Sequence, residues 1–307
     1  MRKKHLYILA VQSKKDTLIQ IELKAALNPL VDTLLNAILS PENPNQDFAA
    51  TAFNLYQLLW EPIESFIGQT VIISPFGKLN YLPFEALLSQ EVRHLKFKQY
   101  PYLIRKYQLS YTYSGTVLIE AGFKPTSTTS RPFIGVAPIF ENSGEYAYLP
   151  HSETEVSSLK SLLGGKVLLR QAASKTSFLK EAIKYRIIHI SSHAAIDDTG
   201  WIAFSDAGAE KGENHKLHLH ELYDLELAAE LAVLSACQTG AGKLSMGEGV
   251  LSLARGLAYA GCQSTISSLW SVNHSSTNAI IASFYTQLRK GRKKNDALLL
   301  GNFNYLN

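Results

Sequence analysis

The chain has 307 residues, 46% hydrophobic, 10% aromatic and 18% charged, a composition that fits one large globular core or two smaller ones. Its net charge of +4 is only mildly basic, and its two cysteines, Cys237 and Cys262, are too few for a disulfide-stapled secreted scaffold, which points to a reducing cytoplasm. No run approaches the roughly 18 apolar residues of a membrane span, and the basic start, residues 1–15, lacks the apolar core of a signal peptide.

Short apolar runs at 6–11 and 18–23 open the chain. Helical patterns follow at 24–39 and 44–67, the second with a broad apolar face that includes Phe53, Tyr56, Leu59, Ile63 and Phe66. Residues 70–74 read as a buried strand stopped by Pro75 and Gly77. Residues 79–87 form an apolar stretch interrupted by Pro83, and 108–113 a strand leading into a helix near Ser114. The segment GFKPTSTTS (122–130), rich in Ser, Thr, Pro and Gly, is the expected boundary between a smaller α/β half, 1–124, and a larger one, 125–307.

Beyond that boundary strands and helices alternate. Strands are expected at 133–137, 166–169, 187–192, 231–236 and 264–270, and helices at 152–163, 174–184, 248–260 and 275–289. This alternation predicts an α/β fold with a mainly parallel sheet flanked by helices. The basic cluster Arg289, Lys290, Arg292, Lys293 and Lys294 reads as the solvated last turn of the final helix, where cations suit the helix dipole, rather than as a nucleic-acid patch.

Open parallel sheets carry their working residues just beyond the carboxyl ends of strands. Two strands here end on a reactive side chain: RIIHISSHA on His193 and LAVLSACQTG on Cys237. An imidazole beside a thiol raises the thiolate fraction and later protonates a leaving amine. The backbone N–H groups of Ala194 and Cys237 are the expected donors to a tetrahedral oxyanion. Taken alone the pair is a weak signal, because a buried cysteine is ordinarily inert packing.

LAVLSACQTG followed by GEGVLSLARGLAYAGCQSTISSLW resembles the CHAT domains, relatives of caspases and separase that often accompany tetratricopeptide arrays. VIISPFGKLNYLPFEALL, YLIRKYQLSYTYSGTVL and LPHSETEVSSLKSLL extend the resemblance from about residue 56 to 299. It implies a caspase-like sheet in 125–307, with His193 and Cys237 as the catalytic pair, and a non-catalytic pseudo-protease half in 1–124. The implied activity is a cysteine endopeptidase acting on a protein or peptide substrate and controlled by a regulatory protein or a tetratricopeptide-type partner. No metal, other cofactor, nucleic acid or membrane is called for. The chain departs from the family pattern at three places. Ala194 stands where Gly is usual after the base. Asn273 and His274 stand where an acidic pair is common. The chain stops at GNFNYLN, as a short variant or a truncated chain, where a further aromatic-rich strand is usual.

Asp197, Asp198, Gln238 and Glu248 are candidate substrate-binding residues. An acidic pocket floor would select Arg or Lys before the cut, although an apolar pocket is equally compatible with the sequence. Glu248 also has the spacing from Ser245 of a helix capping box. His215, His218 and His220 suggest a solvated edge rather than a metal site. His189 is expected to be a hydrogen-bonded core histidine and Cys262 a small core residue. The polar, Gly-bearing loops at 206–216 and 238–247 are of a composition that orders on binding. The alternative reading is an inactive CHAT-type interaction module that binds a protein partner.

Overall fold

A computed structural model of the protein describes residues 5–23, 25–39, 46–93, 96–123, 131–140, 146, 149–195, 200–206, 215–235, 248–268 and 274–306. Its contacts divide the chain into two units, Met1–Gly115 with Leu306–Asn307, and Thr116–Tyr305.

In the first unit the opening apolar runs become strands β1 (His5–Ala10) and β2 (Thr17–Glu22), paired antiparallel with Leu9 opposite Leu18. Helices α1 (Leu27–Leu39) and α2 (Gln46–Leu59) pack together. Val31, Leu34 and Leu35 are buried on the first and Ala52, Leu55, Tyr56 and Leu59 on the second, the spacing of two amphipathic helices. The helix expected to run on to residue 67 ends at Leu59. Pro62 has no N–H to continue an α-helical ladder, and Glu61–Phe66 forms a 3-10 helix instead. Strands β3 (Thr70–Ile73) and β4 (Gln108–Tyr111) then pair in parallel. Glu64 gathers this unit by accepting hydrogen bonds from Tyr56 at 2.7 Å, Tyr107 at 2.7 Å and Lys106 at 2.5 Å.

Helix α3 (Gly115–Phe123) leads into the second unit, which runs β5 (Arg131–Pro138), α4 (Ser152–Leu163), β6 (Lys166–Arg170), α5 (Lys175–Ala182) and β7 (Tyr185–Ile190). The short strands β8 (Ala194–Ala195), β9 (Trp201–Ala203) and β10 (Lys216–His218) follow, then the one-turn α6 (Leu219–Leu222). The chain continues with β11 (Leu231–Leu234), α7 (Glu248–Tyr259), β12 (Thr265–Ser267), α8 (His274–Arg289) and α9 (Lys294–Leu306).

Five of these strands form one parallel sheet in the order β12-β11-β7-β5-β6. Both faces are covered, which is why the strands read as nearly unbroken apolar runs. Ile134, Val136, Ile188, Ile190, Ala232 and Leu234 turn to one side, against Phe178 of α5 and Leu253 and Leu257 of α7. Phe133, Leu231 and Val233 turn to the other, against Leu159 of α4, Phe284 and Tyr285 of α8 and Ala297 of α9. The chain enters at β5, steps outward to β6 and returns to β7 on the opposite flank of β5. That reversal makes a switch point between β5 and β7, where sheets of this kind open their clefts. A separate antiparallel sheet, β10-β9-β8, follows directly on β7.

The end of the chain differs from expectation. Gly291, at φ 79°, closes α8, and the basic run spans the link to α9, a helix not expected from the sequence. Lys294 is half-buried: its Nζ donates to Glu230 O at 2.7 Å and Ser264 Oγ at 2.9 Å, and burial lowers its pKa.

Candidate active site

His193 occupies the three-residue link, Ser191 to His193, between the end of β7 and the start of β8. Both sheets hold that link. Ser191 N–H donates to Val136 O at 2.9 Å, continuing the parallel ladder past its last strand residue. Ser192 Oγ donates to Ala203 O at 2.6 Å, and Ala203 N–H donates to His193 O at 2.9 Å, which fastens the link to β9. His193 is 4% exposed. Tyr146 stacks on it with ring centres 5.3 Å apart, and Phe140 approaches at 5.2 Å. Trp201 and His215 also lie against Tyr146, with ring centres 5.4 and 5.9 Å away, and Lys216 Nζ sits 4.6 Å from the centre of the Trp201 ring.

Behind the link is a buried polar chain. His189 is fully buried, with Nδ1 3.2 Å from Tyr285 Oη and Nε2 3.2 Å from Glu155 Oε1. Ser191 Oγ donates to Glu155 Oε2 at 2.8 Å, and Ser235, the residue after β11, acts on the same carboxylate to hold its pKa down. Burial would raise the pKa of Glu155, but the hydrogen bonds of His189, Ser191 and Ser235 outweigh it and hold the carboxyl below the usual range. Burial, and then the negative Glu155, push Tyr285 well above the ordinary tyrosine value.

The expected site residues are distributed as follows. His193 and Ala194 lie at the carboxyl end of β7, with Ala194 opening β8. Cys237, Gln238, Asp197 and Asp198 lie outside the described residues, as does the side chain of Glu248, which begins α7. His189 is a hydrogen-bonded core histidine and Cys262 a buried core residue, as expected. His218 ends β10 with its ring stacked on His220 at 5.5 Å. Among the described residues no three His, Cys, Asp or Glu side chains converge as a metal site, and no helix is long and apolar enough to cross a membrane.

Sequence reasoning passed over Glu155 and Ser191. A signal for the first was present: Glu155 falls three residues after Ser152 and one and four before Val156 and Leu159, all buried, so it lies on the inward stripe of α4.

Comparison with known proteins agrees with this architecture. The chain is 23% identical over 184 residues to the mouse (Mus musculus) tetratricopeptide repeat protein 28, a match covering 49% of this chain and 8% of that relative. A family model, the CHAT domain, matches residues 49–299. The five-stranded parallel sheet flanked by helices is that of the caspase-like cysteine peptidases to which that family is related. This chain belongs to the CHAT domain family.

Proposed function

We propose that the protein is a cysteine endopeptidase in which Cys237 is the nucleophile and His193 the general base. The observation that carries this reading is the register of β7 and β11. Ile190 and Leu234 are ladder partners on adjacent parallel strands, and His193 and Cys237 each follow in sequence three residues beyond that pair. Equal offsets from a registered pair favour side chains at one height above neighbouring strands, which lie about 4.8 Å apart.

In this mechanism His193 takes the thiol proton and the thiolate attacks the scissile carbonyl, giving a tetrahedral oxyanion. His193 then returns the proton to the leaving amine, and water hydrolyses the thioester to regenerate the thiol. The Ala194 N–H suits an oxyanion donor. The bond from Ala203 N–H to His193 O makes Ala194 and Ile202 a pair that exchanges no hydrogen bonds within its ladder, so this N–H is directed away from β9. The N–H of Cys237 is the second donor. Residues 1–124 are the non-catalytic half, and the substrate is a protein or peptide, with Asp197, Asp198, Gln238 and Glu248 as candidate contacts. A cytoplasmic, reducing setting keeps the nucleophile free.

The rings of Phe140 and Tyr146 over His193 favour control by a regulatory or tetratricopeptide-type partner that uncovers the base. The same cover is compatible with an inactive interaction module. Cleavage of a diverse peptide library by the wild type, Cys237→Ala and His193→Ala tests the proposal. Activity lost in both variants sustains it, and cleavage surviving in Cys237→Ala overturns it. If no protein cleaves, labelling of Cys237 by an acyl-reactive probe identifies a latent enzyme, and its failure to label identifies the interaction module.

A further inference from the structure

We propose that Glu155 is a positioning residue of this site, its carboxylate tying together the two strand ends that lead to His193 and Cys237. The proposal rests on the peptidase reading of those two residues. Ser191 and Ser235 are the first residues beyond β7 and β11, and each stands two residues ahead of a member of the pair. Their backbones continue the sheet: Ser191 N–H donates to Val136 O and Ser235 N–H to Ile190 O, each at 2.9 Å. The Ser191 hydroxyl donates at 2.8 Å to Glu155, which reaches down from α4, and the Ser235 side chain acts on the same carboxylate to hold its pKa down. One carboxylate thus sits on the end of β7 at its join with β11.

The chemistry of the group favours this role over plain stabilisation. The Glu155 side chain is 6% exposed. Removing a carboxylate from water is costly, and a packed apolar residue would commonly serve stability as well or better. A carboxylate does what an apolar group cannot: it takes directional hydrogen bonds from several donors at once. Here those are Ser191 Oγ and His189 Nε2, and the ring of His189 is itself held from behind by Tyr285. The end of β7 is thereby fixed, and the Ser235 N–H bond to Ile190 O sets the end of β11 beside it to within hydrogen-bond tolerance, which is the precision a nucleophile and its base require.

The test is the pH dependence of Cys237 alkylation by iodoacetamide, followed by mass spectrometry of the Cys237 peptide in the full chain. The proteins are wild type, His193→Ala, Glu155→Gln, Ser191→Ala and Ser235→Ala, with thermal unfolding as the control on folding. A paired thiol is largely thiolate at neutral pH and an unpaired one only a few per cent, so His193→Ala is expected to slow alkylation about tenfold at pH 7. Glu155→Gln is expected to move the profile in the same direction while unfolding cooperatively. Should Glu155→Gln fail to fold, the two serine variants, each removing one hydroxyl, carry the same expectation. A shift in His193→Ala with none in the folded Glu155 or serine variants overturns the positioning role and leaves the peptidase reading intact. No shift in His193→Ala refutes the base–thiol pair, and the tie is then read by amide hydrogen exchange. Faster exchange confined to residues 191–193 and 235–237 in the serine variants sustains it, and unchanged exchange there overturns it.

Discussion

Gly135 of β5 and His189 of β7 are register partners on one face of the sheet, and the missing side chain of the first makes room for the helix that bonds the second. A methyl group on Gly135 would meet Val156 Cβ at 2.9 Å and the Phe133 ring at 3.0 Å, so α4 lies this close only over a glycine. Val156 directly follows Glu155, whose carboxylate reaches His189. Gly135→Ala is expected to lift α4 from the sheet and cost about 1–3 kcal/mol, the range for overpacking. Urea unfolding measures this, and an unchanged midpoint would show that α4 has slack to give.

His189 depends on a partner at each nitrogen. Tyr285→Phe keeps the ring that packs on Phe133 but removes the hydroxyl at Nδ1. Leaving a buried polar atom unpartnered is expected to cost about 1–3 kcal/mol. The check is a comparison of unfolding free energies with those of wild type, and equal values would mean that water replaces the hydroxyl.

Tyr146 shields the proposed base. In the wild type, carbethoxylation of His193 by diethyl pyrocarbonate should be slow compared with the exposed His151. Tyr146→Ala is expected to speed modification of His193 several-fold while leaving the rate at His151 unchanged. Site-resolved mass spectrometry reports both, and equal rates at His193 in the two proteins would show that Phe140 alone provides the cover.

Glu64 gives the first unit an acid response. The hydrogen bond from Lys106, with those from Tyr107 and Tyr56, outweighs burial and lowers its pKa from 4.5 to about 2. Because the folded value lies below the unfolded one, these bonds stabilise the fold fully above about pH 4.5, and the gain is lost as pH falls towards about 2. Glu64→Gln is expected to flatten the stability curve across that window and to lower stability at pH 7 by about 1.5–3 kcal/mol. Unfolding free energies of both proteins, measured from pH 7 to pH 2, are the check. Parallel curves would remove Glu64 from the acid response.

Much of the second unit was legible because its strands are buried on both faces and its helices carry one apolar stripe. The α4 helix begins and ends where its pattern says, at Ser152 and Leu163. The strand leading to His193 ends at Ile190, two residues before the expected end at Ser192. Ser191 and Ser192 extend the run in sequence, but the ladder strand stops at Ile190, where serine side chains begin to take bonds of their own. Strands β8 and β10, at two and three residues, are too short to show a period. Glu155 escaped notice because an acidic residue in the first turn of a helix is already explained by the dipole. Its inward position becomes meaningful only when β7 and β11 are seen to be neighbours.

The strand order also sets a sequence of events in time. Strands β5, β6 and β7 are contiguous along the chain and adjacent in the sheet, whereas β11, the other neighbour of β7, emerges from the ribosome only after residues 191–230 have been made. Synthesis adds about 5–20 residues per second and domains fold from the amino-terminal side. The three earlier strands can therefore pair while residue 237 does not yet exist. Under the peptidase function proposed above, the base is then in place before the thiol is made, and a nascent chain gains the means to cut its neighbours only once the fourth strand has been added.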